Sequence, residues 1–198
     1  MEARTRRELV RGAAVSAAGA AALSWPGGAA AQAAPAETDT ELLGRTLRTE
    51  QLVVVAYRQA LASGVLSPPV AHAVREILGQ ELTHVATLDR ELSMRGAQPA
   101  EPPRDVVAAQ RGFAAHHMYT SLTNLHSQNA CLKLLIDVET VAESAYLEAI
   151  AKLADARLVR LSAEIMGAEA QHWTALSSVR HHGDVMMSVP YPFVGGST

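Results

Sequence analysis

The stretches RTEQLVVVAY (residues 48–57) and QELTHVATL (residues 80–88) decide how the whole chain is read. They are echoed by DVETVAESAY (137–146) and AEAQHWTAL (168–176). Each half carries a Glu with a Tyr seven residues later, then a Glu-x-x-His about thirty residues on. Thirty-one residues separate Glu50 from Glu81, and thirty separate Glu139 from Glu169. Matched spacing of this kind marks an internal repeat, here of two helical hairpins.

The spacing has a chemical reason. On an α-helix, positions i and i+3 lie about 60° apart around the axis and roughly 4.5 Å apart along it. Glu81 and His84, and again Glu169 and His172, can therefore approach one ion from one helix face. Two hairpins packed as four antiparallel helices bring Glu50, Glu81, Glu139, Glu169, His84 and His172 into one interior. Four buried carboxylates without cations are costly, and this ligand set suits two iron or two manganese ions in a helical bundle. With 8 histidines in the chain, one Glu-x-x-His arises readily by chance. Two occur, each behind its own upstream Glu at matched distance. The bland alternative is an amphipathic bundle with chance surface acids.

These segments resemble the ferritin-like superfamily, in its group of small exported ferritin-like domain proteins, over about residues 40–182. The resemblance implies an all-α, ferritin-like four-helix bundle of two helical hairpins joined by a long crossover. It implies that Glu50 and Glu139 are terminal ligands, that Glu81 and Glu169 bridge the metals, and that His84 and His172 cap one metal each. A carboxylate-bridged di-iron or di-manganese centre would then serve redox chemistry with O2 or peroxide, or metal oxidation and handling. Tyr57 and Tyr146 stand either as hydrogen-bond or electron donors to the site or as hydrogen-bonded core aromatics. No rubredoxin-like Cys site is present to feed electrons, which disfavours a rubrerythrin type of peroxidase. A metal-free bundle acting as a binding module of the cell envelope is the reading from another class.

Around these motifs, the periodicity predicts four long helices. The first starts after Thr38 or Asp39 and runs to about Ser63, with Gly64 as its stop and an inward stripe of Leu43, Leu47, Glu50, Val54, Tyr57 and Leu61. The second opens at Ser67-Pro68, with Ser67 as cap, and ends at Gly96. His72 lies off its Glu-x-x-His register and reads as solvated. A short helix, Asp105 to about Ala115, sits in the crossover, where His116, His117, Met118 and His126 read as polar connection rather than ligands. The third long helix spans about Gln128 to Leu153. It carries a competing acid, Glu143, which aligns with Val54 in the repeat and reads as a carboxylate beside the ligands or a solvated one. The fourth runs from Asp155 or Ala156 to about His182. Residues 184–198 read as an irregular tail, its His181, His182, Met186 and Met187 incidental and Tyr191 and Phe193 docking at most.

The N-terminus reads as an address. TRRELVR (5–11) resembles a twin-arginine export signal, with Arg6 and Arg7 as the pair; a soft apolar stretch follows, then AQA at 31–33. The expected organisation is a signal peptide over 1–33, the bundle over 34–183 and the tail. The twin-arginine translocase is then a partner, and the protein is exported to the periplasm, cell envelope or exterior. Removing 1–33 takes away four Arg and two Glu, leaving 13 basic and 18 acidic side chains, net −5. A mildly acidic chain without a basic stripe argues against nucleic-acid binding. No stretch is apolar enough for a stable membrane span. The lone Cys131 excludes an intrachain disulfide and reads as a buried small hydrophobe. Assembly into a homo-oligomer is left open by a single chain.

Overall fold

The computed structural model describes residues 37–118 and 121–189. The leader reading, with Arg6, Arg7 and cleavage after Ala33, lies outside them, as do Tyr191 and Phe193. Among the described residues six helices form: α1 (Asp39–Ala62), α2 (Pro68–Met94), α3 (Val106–Ala115), α4 (Gln128–Lys152), α5 (Ala156–Arg180) and α6 (Val185–Ser188). No strand occurs among the described residues, and no helix is long and apolar enough to cross a membrane.

Local chemistry sets most of the helix boundaries. Thr38 and Glu41 form a reciprocal capping box at the start of α1. Asp105, Ser127 and Asp155 each cap the next helix through a side-chain oxygen. Ser67 precedes α2 but its side chain makes no capping hydrogen bond, against the expectation. Pro69 removes the N–H at the second helical position, one of the two donors a capping hydroxyl can take; the other, that of Val70, is not used. The Ser67 backbone N–H donates instead to Gln128 Oε1 at 2.8 Å. Gly64 and Gly96 follow α1 and α2 with φ of 69° and 72°, a left-handed turn that suits glycine.

α1 packs on α2, α4 on α5, and α1 on α4, whereas α2 and α5 meet only sparsely. The crossover carries α3, which lies on α1 where Gly112 meets Leu52; a Cβ on Gly112 would come 2.7 Å from a Leu52 methyl. The core divides into two apolar clusters. One gathers Val53, Tyr57, Val74, Ile77, Phe113, Leu132, Leu135 and Leu176. The other gathers Leu43, Leu47, Leu88, Leu92, Tyr146, Leu158 and Ile165. On α1, α2 and α5 the acids and imidazoles of the repeat fall between members of the two clusters, and on α4 the stretch from Glu139 to Glu143 leads from the first cluster to Tyr146 of the second, so that a polar layer crosses the bundle.

One expectation changes just after α5. The segment read as an irregular tail begins with one helical turn, α6, started by the Asp184 carboxylate on the Met186 N–H and packed on α5. A single turn has no periodicity to read. His117 and His182 adopt φ of 57° and 56° just after α3 and α5. These histidines are exposed or nearly so and serve as helix stops, which supports reading them as non-ligands.

Candidate metal centre

Glu50 and Glu139 occupy facing positions on α1 and α4, and both are fully buried. Each is held by the tyrosine of the other hairpin. Tyr57 Oη donates to Glu139 Oε1, and Tyr146 Oη donates to Glu50 Oε1. The seven-residue Glu–Tyr spacing thus places each Tyr about two turns along its own helix, opposite the partner Glu. Both phenol groups are pushed well above their usual pKa, by burial first and then by the adjacent carboxylates, so they remain donors.

α2 and α5 close the layer from the other side. His84 Nδ1 lies 2.8 Å from Glu169 Oε1 and 3.4 Å from Glu81 Oε2. His172 Nδ1 lies 2.7 Å from Glu81 Oε1, 3.6 Å from Glu169 Oε2 and 3.7 Å from Glu139 Oε2. The two rings face each other with centroids 6.1 Å apart. On its outer edge, His172 Nε2 is 2.8 Å from Gln80 Oε1.

These atoms form two overlapping sets. One atom each from Glu50, Glu81, His84 and Glu169 lie within 4.8 Å of one another, and so do one each from Glu81, Glu139, Glu169 and His172. Glu81 and Glu169 belong to both sets; each remaining carboxylate and imidazole belongs to one. All six residues singled out from sequence are therefore brought together, and the shared pair is the pair of Glu-x-x-His acids. Glu143 is not in either set. It is nonetheless buried, at 4 % exposure, with Oε1 unpartnered, so a solvated role is ruled out. Burial and then the Glu169 charge push its carboxyl up to about 7.

The electrostatics ask for cations. Both Nδ1 atoms, both oxygens of Glu81 and of Glu169, and one oxygen each of Glu50 and Glu139 make no hydrogen bond. The imidazole nitrogens are close to carboxylate oxygens, yet their N–H directions miss them: the atoms converge on shared points rather than on each other. Burial raises Glu50 and Glu139 well above the normal carboxylate range, reinforced by the neighbouring Glu81 and Glu169. Against the opposing effect of burial, carboxylate neighbours push His84 up to about 9 and His172 up to about 12. Glu169 is held down to about 2 by the two imidazoles, although burial works against it. Burying four carboxylates together calls for compensating positive charge in this layer, which metal ions would supply. An oxygen-rich set with two imidazoles and no thiolate fits iron or manganese.

Gln80 was not legible as a site residue. It is exposed, polar and outside the Glu-x-x-His pattern, and its role depends on how α2 is rotated toward α5. One available signal was its position beside Glu81, about 100° around the helix from that acid.

A comparison with protein-family profiles matches the ferritin-like domain over residues 38–182, a span that includes α1 to α5 and all six converging residues. No curated protein and no solved structure matches the chain. The sequence match and the two-hairpin bundle point the same way, and the chain belongs to the ferritin-like domain family.

Proposed function

We propose that the chain is an exported di-metal protein in which Glu50, Glu81, His84, Glu139, Glu169 and His172 would hold two iron or two manganese ions, working in redox chemistry with O2 or peroxide or in metal oxidation and handling. The observation that carries this reading is the pair of overlapping four-atom sets sharing two carboxylates. Bound iron or manganese would supply one-electron steps that amino-acid side chains perform poorly. The chain's own contribution is positional. Tyr57 and Tyr146 fix the two terminal carboxylates by one oxygen each, leaving Glu139 Oε2 and Glu50 Oε2 free for a metal. The apolar clusters above and below the layer exclude water, which strengthens each charge interaction within it. Glu143 stands near Glu169 as an additional carboxyl able to hold a proton. Export rests on the leader reading alone.

Metal analysis of protein purified after native export tests the reading. Two equivalents of iron or manganese per chain are expected. A folded chain that carries none would favour the metal-free binding module. Mass spectrometry of the same sample should find a mature N-terminus after Ala33. Replacing both Arg6 and Arg7 with Lys should stop export, and exported protein still bearing residues 1–33 would overturn the leader reading.

A further inference from the structure

The repeat is nearly symmetric in its ligands, and one of its asymmetries lies just outside them. In QELTH (80–84) the residue before the bridging Glu is Gln80; in AEAQH (168–172) it is Ala168. Gln80 crosses from α2 to α5 and places Oε1 2.8 Å from His172 Nε2. The equivalent contact would run from residue 168 on α5 to His84 on α2, and alanine has no polar group to make it. His84 Nε2 accordingly has no hydrogen bond to the protein among the described residues. The His84 side chain is also the more exposed, 11 % against 5 % for His172.

We propose that Gln80 is a positioning residue for His172 and makes the two metal positions unequal, the Glu139–His172 position binding its ion more tightly. This rests on the di-metal reading above. A neutral imidazole can present a lone pair at Nδ1 only when its proton sits on Nε2. An acceptor oxygen fixed at Nε2 selects that tautomer and holds the ring at the angle that aims Nδ1 inward. His172 has this acceptor. His84 has no such acceptor from the protein among the described residues and must order its ring and tautomer when the ion arrives. The remaining donors are balanced: each position has one terminal Glu gripped by a Tyr, and both share Glu81 and Glu169. Glu143 breaks the symmetry as well, but it belongs to neither converging set, and the charge it feels is that of Glu169, which serves both positions.

The test is titration of the metal-free protein with Mn(II), followed by calorimetry and by electron paramagnetic resonance. The latter distinguishes isolated ions from coupled pairs. Wild type should bind in two resolved steps, with isolated ions at one equivalent. Gln80→Leu, at an exposed position, should weaken the tighter step 10–100-fold, the range for loss of such an outer partner, and leave the weaker step within about 3-fold. Gln80→Glu keeps an acceptor oxygen and should restore the two-step pattern, which a merely structural role would not require. Ala168→Gln should narrow the gap by supplying His84 with an acceptor. Two equal steps in wild type, coupled pairs at one equivalent, or Gln80→Leu weakening both steps alike would each overturn the inference while leaving the di-metal reading intact. A wild-type protein that takes up no Mn(II) and no Fe(II) would remove both.

Discussion

Six side chains could be named from sequence because their chemistry is tied to helical spacing. Glu81 with His84, and Glu169 with His172, share a face by geometry alone. The upstream acids Glu50 and Glu139 are picked out by the repeat, and Glu143 then becomes a test of its register. Glu139 lies in a converging set and Glu143 in neither. Glu50→Ala and Glu139→Ala should each lower metal stoichiometry from two toward one per chain, with the helical circular dichroism retained. Glu143→Ala should keep two ions. If Glu143→Ala loses metal while Glu139→Ala keeps both, the register of α4 is wrong by one turn. What sequence could not give is direction between helices. The burial of Glu143 and the reach of Gln80 depend on how neighbouring helices are rotated, which no single-helix pattern encodes. The crossed Tyr57–Glu139 and Tyr146–Glu50 bonds were likewise open, since a seven-residue spacing fits a core aromatic equally well.

Helix boundaries were legible wherever a turn has a distinctive residue. Gly64 and Gly96 read as stops and proved to be left-handed turns. The same residue type has the opposite meaning inside α2, where Gly79 is exposed and a Cβ there would meet nothing within 4 Å. Gly96→Ala should destabilise the metal-free protein by about 1 kcal/mol, because its φ of 72° disfavours a side chain. Gly79→Ala should stabilise it by roughly 0.5–1 kcal/mol through helix propensity. Denaturant midpoints of the two variants should therefore move in opposite directions from wild type; a shared direction would refute this account of the turns. α6 escaped the reading because four residues are too few to show a period. Ser67 was read as a capping side chain and makes no such hydrogen bond.

Across the whole bundle, the sequence predicted the order of the long helices and the long crossover, but not the loose approach of α2 to α5. Nor did it show that the core is cut in two by the polar layer. That layer makes stability depend on its charge. Ligands that bind only the folded state stabilise it by mass action, while without metal the layer must keep protons on buried acids or admit water. Chelation near neutral pH should lower the melting temperature. An unchanged midpoint after verified metal removal would count against a buried centre.

Each converging set takes three residues from one hairpin and one from the other, and each terminal acid is gripped by the opposite hairpin's tyrosine. A lone hairpin therefore offers neither a full coordination sphere nor a braced carboxylate. Under the proposed di-metal reading, ion retention would report on docking: a half-formed chain would let its ion go, and a finished one would hold it. Under the proposed export of the folded chain, the same centre would act as a latch that closes only once assembly is complete.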